Sequence, residues 1–74
     1  MEELELNKEF ITLGQFLQVT DFVASGAEAK IKVKEMAILV NGQTEERRGR
    51  KLYASDTVEV AGRKFLIKAW KSKK

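Results

Sequence analysis

Ser25-Gly26-Ala27-Glu28-Ala29-Lys30-Ile31-Lys32-Val33-Lys34-Glu35-Met36-Ala37-Ile38-Leu39-Val40-Asn41-Gly42 contains the change of period on which the fold turns. In its first part Ala29, Val33, Met36 and Ala37 share one face at helical spacing. Ser25 and Glu28 stand where a reciprocal capping box would close, so a helix is predicted to begin there and run to about Met36. From Ile38 the period becomes two. Asn41-Gly42 then supplies the two residues that most readily take positive φ at both centres of a primed turn, which predicts a hairpin of Ile38-Leu39-Val40 against Gln43-Thr44-Glu45.

Upstream, Thr12-Leu13-Gly14-Gln15 repeats the capping pattern, with Ile11 and Phe16 placed for a hydrophobic staple. Leu13, Phe16, Leu17 and Thr20 fall on one stripe, and the helix is predicted from Leu13 to about Val19. Leu4 and Leu6 alternate with Glu3, Glu5 and Asn7, as in a strand with one wet face. Downstream, Ala54-Ser55-Asp56 reads as a turn. Thr57-Val58-Glu59-Val60 and Lys64-Phe65-Leu66-Ile67 read as strands joined around Ala61-Gly62-Arg63. The order predicts an α+β domain, with two short helices in a helix-turn-helix packed on one face of a small, largely antiparallel sheet. Residues 1–70 are read as one domain and 71–74 as a basic tail. Phe10, Phe16, Phe22 and Phe65 are assigned to the core. Ile31 points off the apolar helix face, and the sequence does not decide whether it makes a second contact with the C-terminal strands.

Composition excludes several kinds of chemistry. The 74 residues include no cysteine and no histidine, so neither a disulfide nor a cysteine-histidine metal site is available as a staple. Apolar residues make up 43% of the chain, enough for one small core. The usual acid-base and nucleophilic side chains for neutral pH are missing. Ser25 and Ser55 are explained by capping and turn roles, and the adjacent Glu45 and Glu46 by solvated pairing with arginines. The glycines form no phosphate-binding loop and the acids no calcium-loop spacing. We therefore expect no enzyme, no cofactor, no metal and no small-molecule substrate. The longest apolar runs, such as Met36 to Val40, are far short of the roughly 20 residues that span a bilayer. Residues 1–9 are acidic and unlike a signal peptide. A soluble, cytoplasmic monomer is expected.

Formal net charge is +3, but its distribution is uneven. Glu2, Glu3, Glu5 and Glu9 oppose only Lys8 in the first nine residues, whereas Arg63, Lys64, Lys68, Lys71, Lys73 and Lys74 follow Ala61 without an acid. The densest cluster is Arg47-Arg48-Gly49-Arg50-Lys51, read as an exposed link after the hairpin. Arg47, Arg48 and Arg50 have the planar fork for bidentate phosphate contacts; Lys30, Lys34 and Lys51 add point charges, and Gly49 would allow close backbone approach. Tyr53 and Trp70 are the aromatics near basic residues, too few for a reader built on stacked bases. The charge pattern thus indicates a polyanion gripped by shape and backbone. A folded RNA, a DNA duplex or an acidic protein surface would each satisfy it.

The chain also resembles the S-four (S4) RNA-binding domain, named for the fourth protein of the small ribosomal subunit. The resemblance covers residues 12–60. It rests on Leu13 and Phe16-Leu17, Ala24-Ser25, Ala29, Val40-Asn41-Gly42 and Asp56-Thr57-Val58-Glu59-Val60. Thr12-Leu13-Gly14-Gln15-Phe16-Leu17, Ser25-Gly26-Ala27-Glu28-Ala29-Lys30 and Glu46-Arg47-Arg48-Gly49-Arg50-Lys51-Leu52 are similar to short stand-alone bacterial members of the YaaA and YbcJ type. The resemblance implies an alpha-L motif whose paired helices and basic loop form one surface for structured RNA, ribosomal or transfer-RNA-like, with a ribosomal particle as a further partner. Ser25, Lys30, Lys34, Asn41, Gly42, Arg47, Arg48, Arg50 and Lys51 are then the candidate site. Where the wider family often has arginines near the start of the first helix and after the serine, this chain has Thr12 and Gly26-Ala27, which shifts the expected grip toward the lysines and the arginine loop.

Overall fold

The computed structural model describes residues 1–69 and runs β1 (Glu2–Glu5), β2 (Ile11–Thr12), α1 (Leu13–Val19), α2 (Gly26–Glu35), β3 (Leu39–Val40), β4 (Gln43–Thr44), β5 (Lys51–Leu52), β6 (Thr57–Val60) and β7 (Arg63–Lys68). Trp70 and the basic tail at 71–74 lie outside the described residues. Among the described residues, five strands form a sheet in the order β1-β7-β6-β3-β4. Its pairings are antiparallel except for β1 against β7, which is parallel with Glu2 opposite Phe65 and Glu5 opposite Lys68. The α+β reading holds.

Both helices start as their sequences dictate. Thr12 Oγ1 accepts from the Gln15 amide at 3.2 Å and Gln15 Oε1 accepts from the Thr12 amide at 3.0 Å, closing the capping box. At α2 the reciprocal half differs from expectation. Ser25 Oγ accepts from the Glu28 amide at 3.2 Å, but the Glu28 carboxylate takes the amide of Ala24 at 2.6 Å, one residue further out. Lys32 lies 3.7 Å from Glu35, one turn in the opposite direction from Glu28. The helix ends where expected, with Met36 as its C-cap turned extended (φ −84°, ψ 140°), and Ile38 enters the interior. Ala37 is consequently exposed.

Leu13, Phe16 and Leu17 of α1 and Ala29 and Val33 of α2 pack on the alternating apolar residues Val58, Val60, Phe65 and Ile67. The Phe16 ring meets Phe65 edge-on at 5.1 Å, a favoured aromatic arrangement. Phe22 packs at the margin of this cluster. Ile31 is 60% exposed, while Ala29 and Val33 of the same helix are buried in the core.

Two hairpins close with the same backbone geometry. Asn41 and Gly42 have φ of 54° and 83°, and Ala61 and Gly62 have 53° and 80°, the double positive φ of a primed turn. Asn41 also uses both ends of its amide, accepting from the Thr57 backbone at 2.9 Å and donating to Asp56 Oδ1 at 3.0 Å. At the other end of the sheet, Glu2 receives two hydrogen bonds from the Arg63 guanidinium at 2.6 and 2.7 Å. That guanidinium lies over the Phe22 and Phe65 rings. The opposite-sign ends of the sequence thus become neighbouring strands and partly neutralise each other.

Candidate nucleic-acid interface

The segment from Glu45 to Arg50 connects β4 to β5 and is docked rather than free. Its carbonyls cap α1: the Leu13 amide donates to Arg50 O at 2.8 Å and the Gly14 amide to Arg48 O at 2.9 Å. With Thr12 holding the Gln15 amide, the first three orphan donors of the helix are satisfied inside the protein. That end of α1 is therefore closed to an anion. The approach is close because residue 14 is glycine. A Cβ placed there would lie 2.6 Å from Arg48 Cγ and 3.4 Å from Arg48 O. A Cβ at Gly49, by contrast, would meet nothing within 4 Å, so within the protein it is Gly14, not Gly49, that close packing requires.

β5 corrects the reading of this segment as an exposed link through Lys51. Lys51 and Leu52 pair antiparallel with Thr12 and Ile11, and Leu52 is fully buried. A two-residue ribbon therefore seals the loop against the start of α1.

Glu45 organises the arginines. Only 7% of the residue is exposed, although solvated pairing was expected. Its carboxylate accepts from Arg47 Nε at 2.9 Å, Arg47 Nη2 at 3.1 Å, the Arg47 amide at 2.9 Å and Arg50 Nη1 at 2.9 Å. The hydrogen bonds from Arg47 lead in holding the carboxyl down to about 2 from its ordinary 4.5, against the opposing effect of burial. The same pairing raises Arg47. Arg50 is mostly enclosed, with 32% of its side chain exposed, whereas Arg47 keeps 74%. A guanidinium has five donors, so Arg47 presents an unused edge outward.

Arg48 links the loop to the second helix. Its Nη1 donates to the Gly26 carbonyl at 3.2 Å. Gly26, Lys30 and Lys34 are successive members of one i, i+4 row, each about 6 Å further along the axis. Both lysines are exposed. The row therefore begins at an arginine and continues through two ammonium groups, with Arg47 on the adjoining loop. Among the described residues no three of the histidine, cysteine, aspartate and glutamate side chains gather as a metal-holding group. No helix there is long and apolar enough to cross a membrane.

A family model for the S4 domain matches residues 4–68, from β1 through β7. The chain belongs to the S4 domain family. A Bacillus subtilis (strain 168) protein, described as a probable ribosome maturation protein RlbA, is 48% identical over 59 residues, covering 80% of this chain and 83% of that one. The resemblance drawn from residues 12–60 is thus correct and extends further in both directions.

Within this S4 domain the nine candidate residues separate into groups. Arg47, Arg48 and Arg50 share the loop, Lys51 follows on β5, and Lys30 and Lys34 continue the row beyond Arg48. Ser25 caps α2 beside that row. Asn41 and Gly42 sit elsewhere: Asn41 is bonded to Asp56 and Thr57, and Gly42 lines a recess with Leu39, Thr57, Glu59 and Lys64. Sequence reasoning overlooked Glu45 and Gly14, which position the loop from inside, and Phe10, which lies beside Lys51. A glycine inside a helix costs roughly 1 kcal/mol relative to alanine, so Gly14 carried a signal of close packing. Phe10, assigned to the core, instead lies beside Tyr53, with Lys51 Nζ 4.9 Å from its ring centre.

Proposed function

We propose that this S4 protein is a non-enzymatic RNA-binding protein. It grips the backbone of a folded RNA through Lys30, Lys34, Arg47, Arg48 and Lys51. Arg50 and Ser25 hold the loop and helix in place, and Asn41-Gly42 fixes the neighbouring hairpin. The observation that carries this reading is the Arg48 bond to Gly26, which joins the arginine loop to the lysine row of α2. Positive groups at regular spacing on rigid elements suit phosphates of fixed geometry better than a mobile tail would. The Bacillus protein named for ribosome maturation favours ribosomal RNA in an assembling particle as the ligand. The protein acts as a monomer in the cytoplasm.

The test is fluorescence anisotropy with a hairpin RNA, a DNA duplex and a scrambled single strand across a salt series. Roughly five phosphate contacts give a logarithmic salt slope on the order of −4 for the hairpin. A Lys30→Gln/Lys34→Gln variant, altered only on the exposed row, should lower that slope by about 2. Equal binding to all three probes, or an unchanged slope in the variant, would refute the assignment. Preference for the duplex would make the ligand DNA; a salt-insensitive protein partner would make the surface a docking face.

A further inference from the structure

Beside the cationic surface, the β2–β5 ribbon carries an aromatic face that phosphate binding leaves unexplained. The antiparallel register sets Ile11 opposite Leu52 and Thr12 opposite Lys51, so Phe10 faces Tyr53 one step further along. Side chains alternate across a strand. Ile11 and Leu52 turn toward the core, leaving Phe10, Thr12, Lys51 and Tyr53 on the outer face. The rings of Phe10 and Tyr53 are 5.8 Å apart and tilted by 52°. Lys51 Nζ stands 4.9 Å from the centre of the Phe10 ring, while Tyr53 is 49% exposed. Next to Tyr53 is a shallow recess of about 400 Å³ lined by Leu6, Lys8, Glu9, Tyr53, Ala54 and Ala69.

We propose that this face is a stacking site for one unpaired nucleobase, bulged from the RNA whose backbone lies on the lysine row and arginine loop. The inference rests on the RNA-binding reading and specifies which feature of the RNA is read. Three observations favour a base over another apolar group. The exposed ring is an aromatic with a flat face, the surface on which splayed-out bases are recognised. Lys51 adjoins the aromatic pair and is the next residue after Arg50, so a nucleotide seated on Tyr53 has its phosphate within the cationic surface. Lys8 lines the same recess as a second cation, next to Glu9 in sequence. The platform is also held firmly: the Tyr53 amide donates to Asp56 Oδ2 at 2.8 Å and Leu52 anchors the strand from below. A cross-strand aromatic pair also stabilises a ribbon, so the test must separate stacking on RNA from stability.

Two hairpin RNAs, identical except for a single unpaired adenosine in one stem, are titrated against wild type, Tyr53→Ala and Tyr53→Phe, with thermal melts of each protein. Wild type should prefer the bulged hairpin by roughly tenfold, the usual scale of one base–aromatic stack. Tyr53→Phe should keep the preference, and Tyr53→Ala should lose it, the two hairpins then binding alike. A 2-aminopurine in place of the bulged adenosine should be quenched by wild type and Tyr53→Phe but not by Tyr53→Ala. Because the readout is a ratio between two RNAs, partial unfolding, which weakens both, does not imitate the expected result. Equal affinity of wild type for the two hairpins, or a preference that survives Tyr53→Ala, overturns the stacking site while leaving RNA binding standing. Failure of wild type to bind either hairpin overturns both.

Discussion

Two carboxylate–arginine clusters in this protein use the same chemistry to different ends. Glu2 and Arg63 form a forked pair, but their side chains are 48% and 49% exposed, so water and salt screen the attraction. Glu45 has 8% of its side chain exposed and accepts from two arginines and a backbone amide. The first pair decorates strands that are already held by a backbone ladder and by Phe65. The second fixes a loop with little other internal structure. What most separates an ornament from an anchor here is therefore the burial of the carboxylate.

The largest break in this comparison should come from Gly14, under the anchored loop. Gly14→Val puts a Cβ within 2.6 Å of Arg48 Cγ and further methyls into the same crowded space. It should cost about 2–3 kcal/mol in urea unfolding and weaken hairpin RNA binding, since the loop must lift from α1. Glu45→Gln comes next. It keeps the shape but removes the charge that both guanidiniums share, and a loss of about 1–2 kcal/mol is expected from the same measurement. Acid sharpens the contrast: because the folded Glu45 carboxyl sits near 2 and its ordinary value is 4.5, its contribution is complete above about 4.5 and drains away as pH falls toward about 2. Thermal melts of wild type should record that loss, and Glu45→Gln should lack this component.

Smaller effects belong to the strand-pair side. Ala61 holds a left-handed φ of 53° in the turn that delivers Arg63, and Ala61→Asn should raise stability by about 0.5–1 kcal/mol. Glu2→Gln should leave the urea midpoint unchanged within error at physiological salt, with a small deficit emerging only at low ionic strength. A deficit that persisted at high salt would show the exposed pair to be an anchor too.

How much could be read beforehand follows the range of the interactions. Thr12-Leu13-Gly14-Gln15 and Asn41-Gly42 encode their structures within four residues, and both formed as expected. The β2–β5 ribbon was hidden because two residues cannot display a period. Its partners are also about forty residues apart, which leaves register to tertiary packing. Glu45 looked solvated because its neighbours are polar; its burial is produced by the chain folding back between β3 and α1. The candidate site was legible as charge in Lys30, Lys34 and the arginines. It was not legible as geometry, because which arginines face outward depends on Glu45 and Gly14.

The parallel pairing of β1 with β7 also sets a timetable. During synthesis at about 5–20 residues per second, β1 emerges roughly 3–12 s before the partner that flanks it has been made. For that interval it is an unclaimed strand, the kind of edge that invites pairing with another chain. Glu2, Glu3 and Glu5, all exposed in the finished fold, give the waiting segment a negative charge at nearly every position. Like charges at these positions disfavour pairing of β1 with a second copy of itself until β7 has been made.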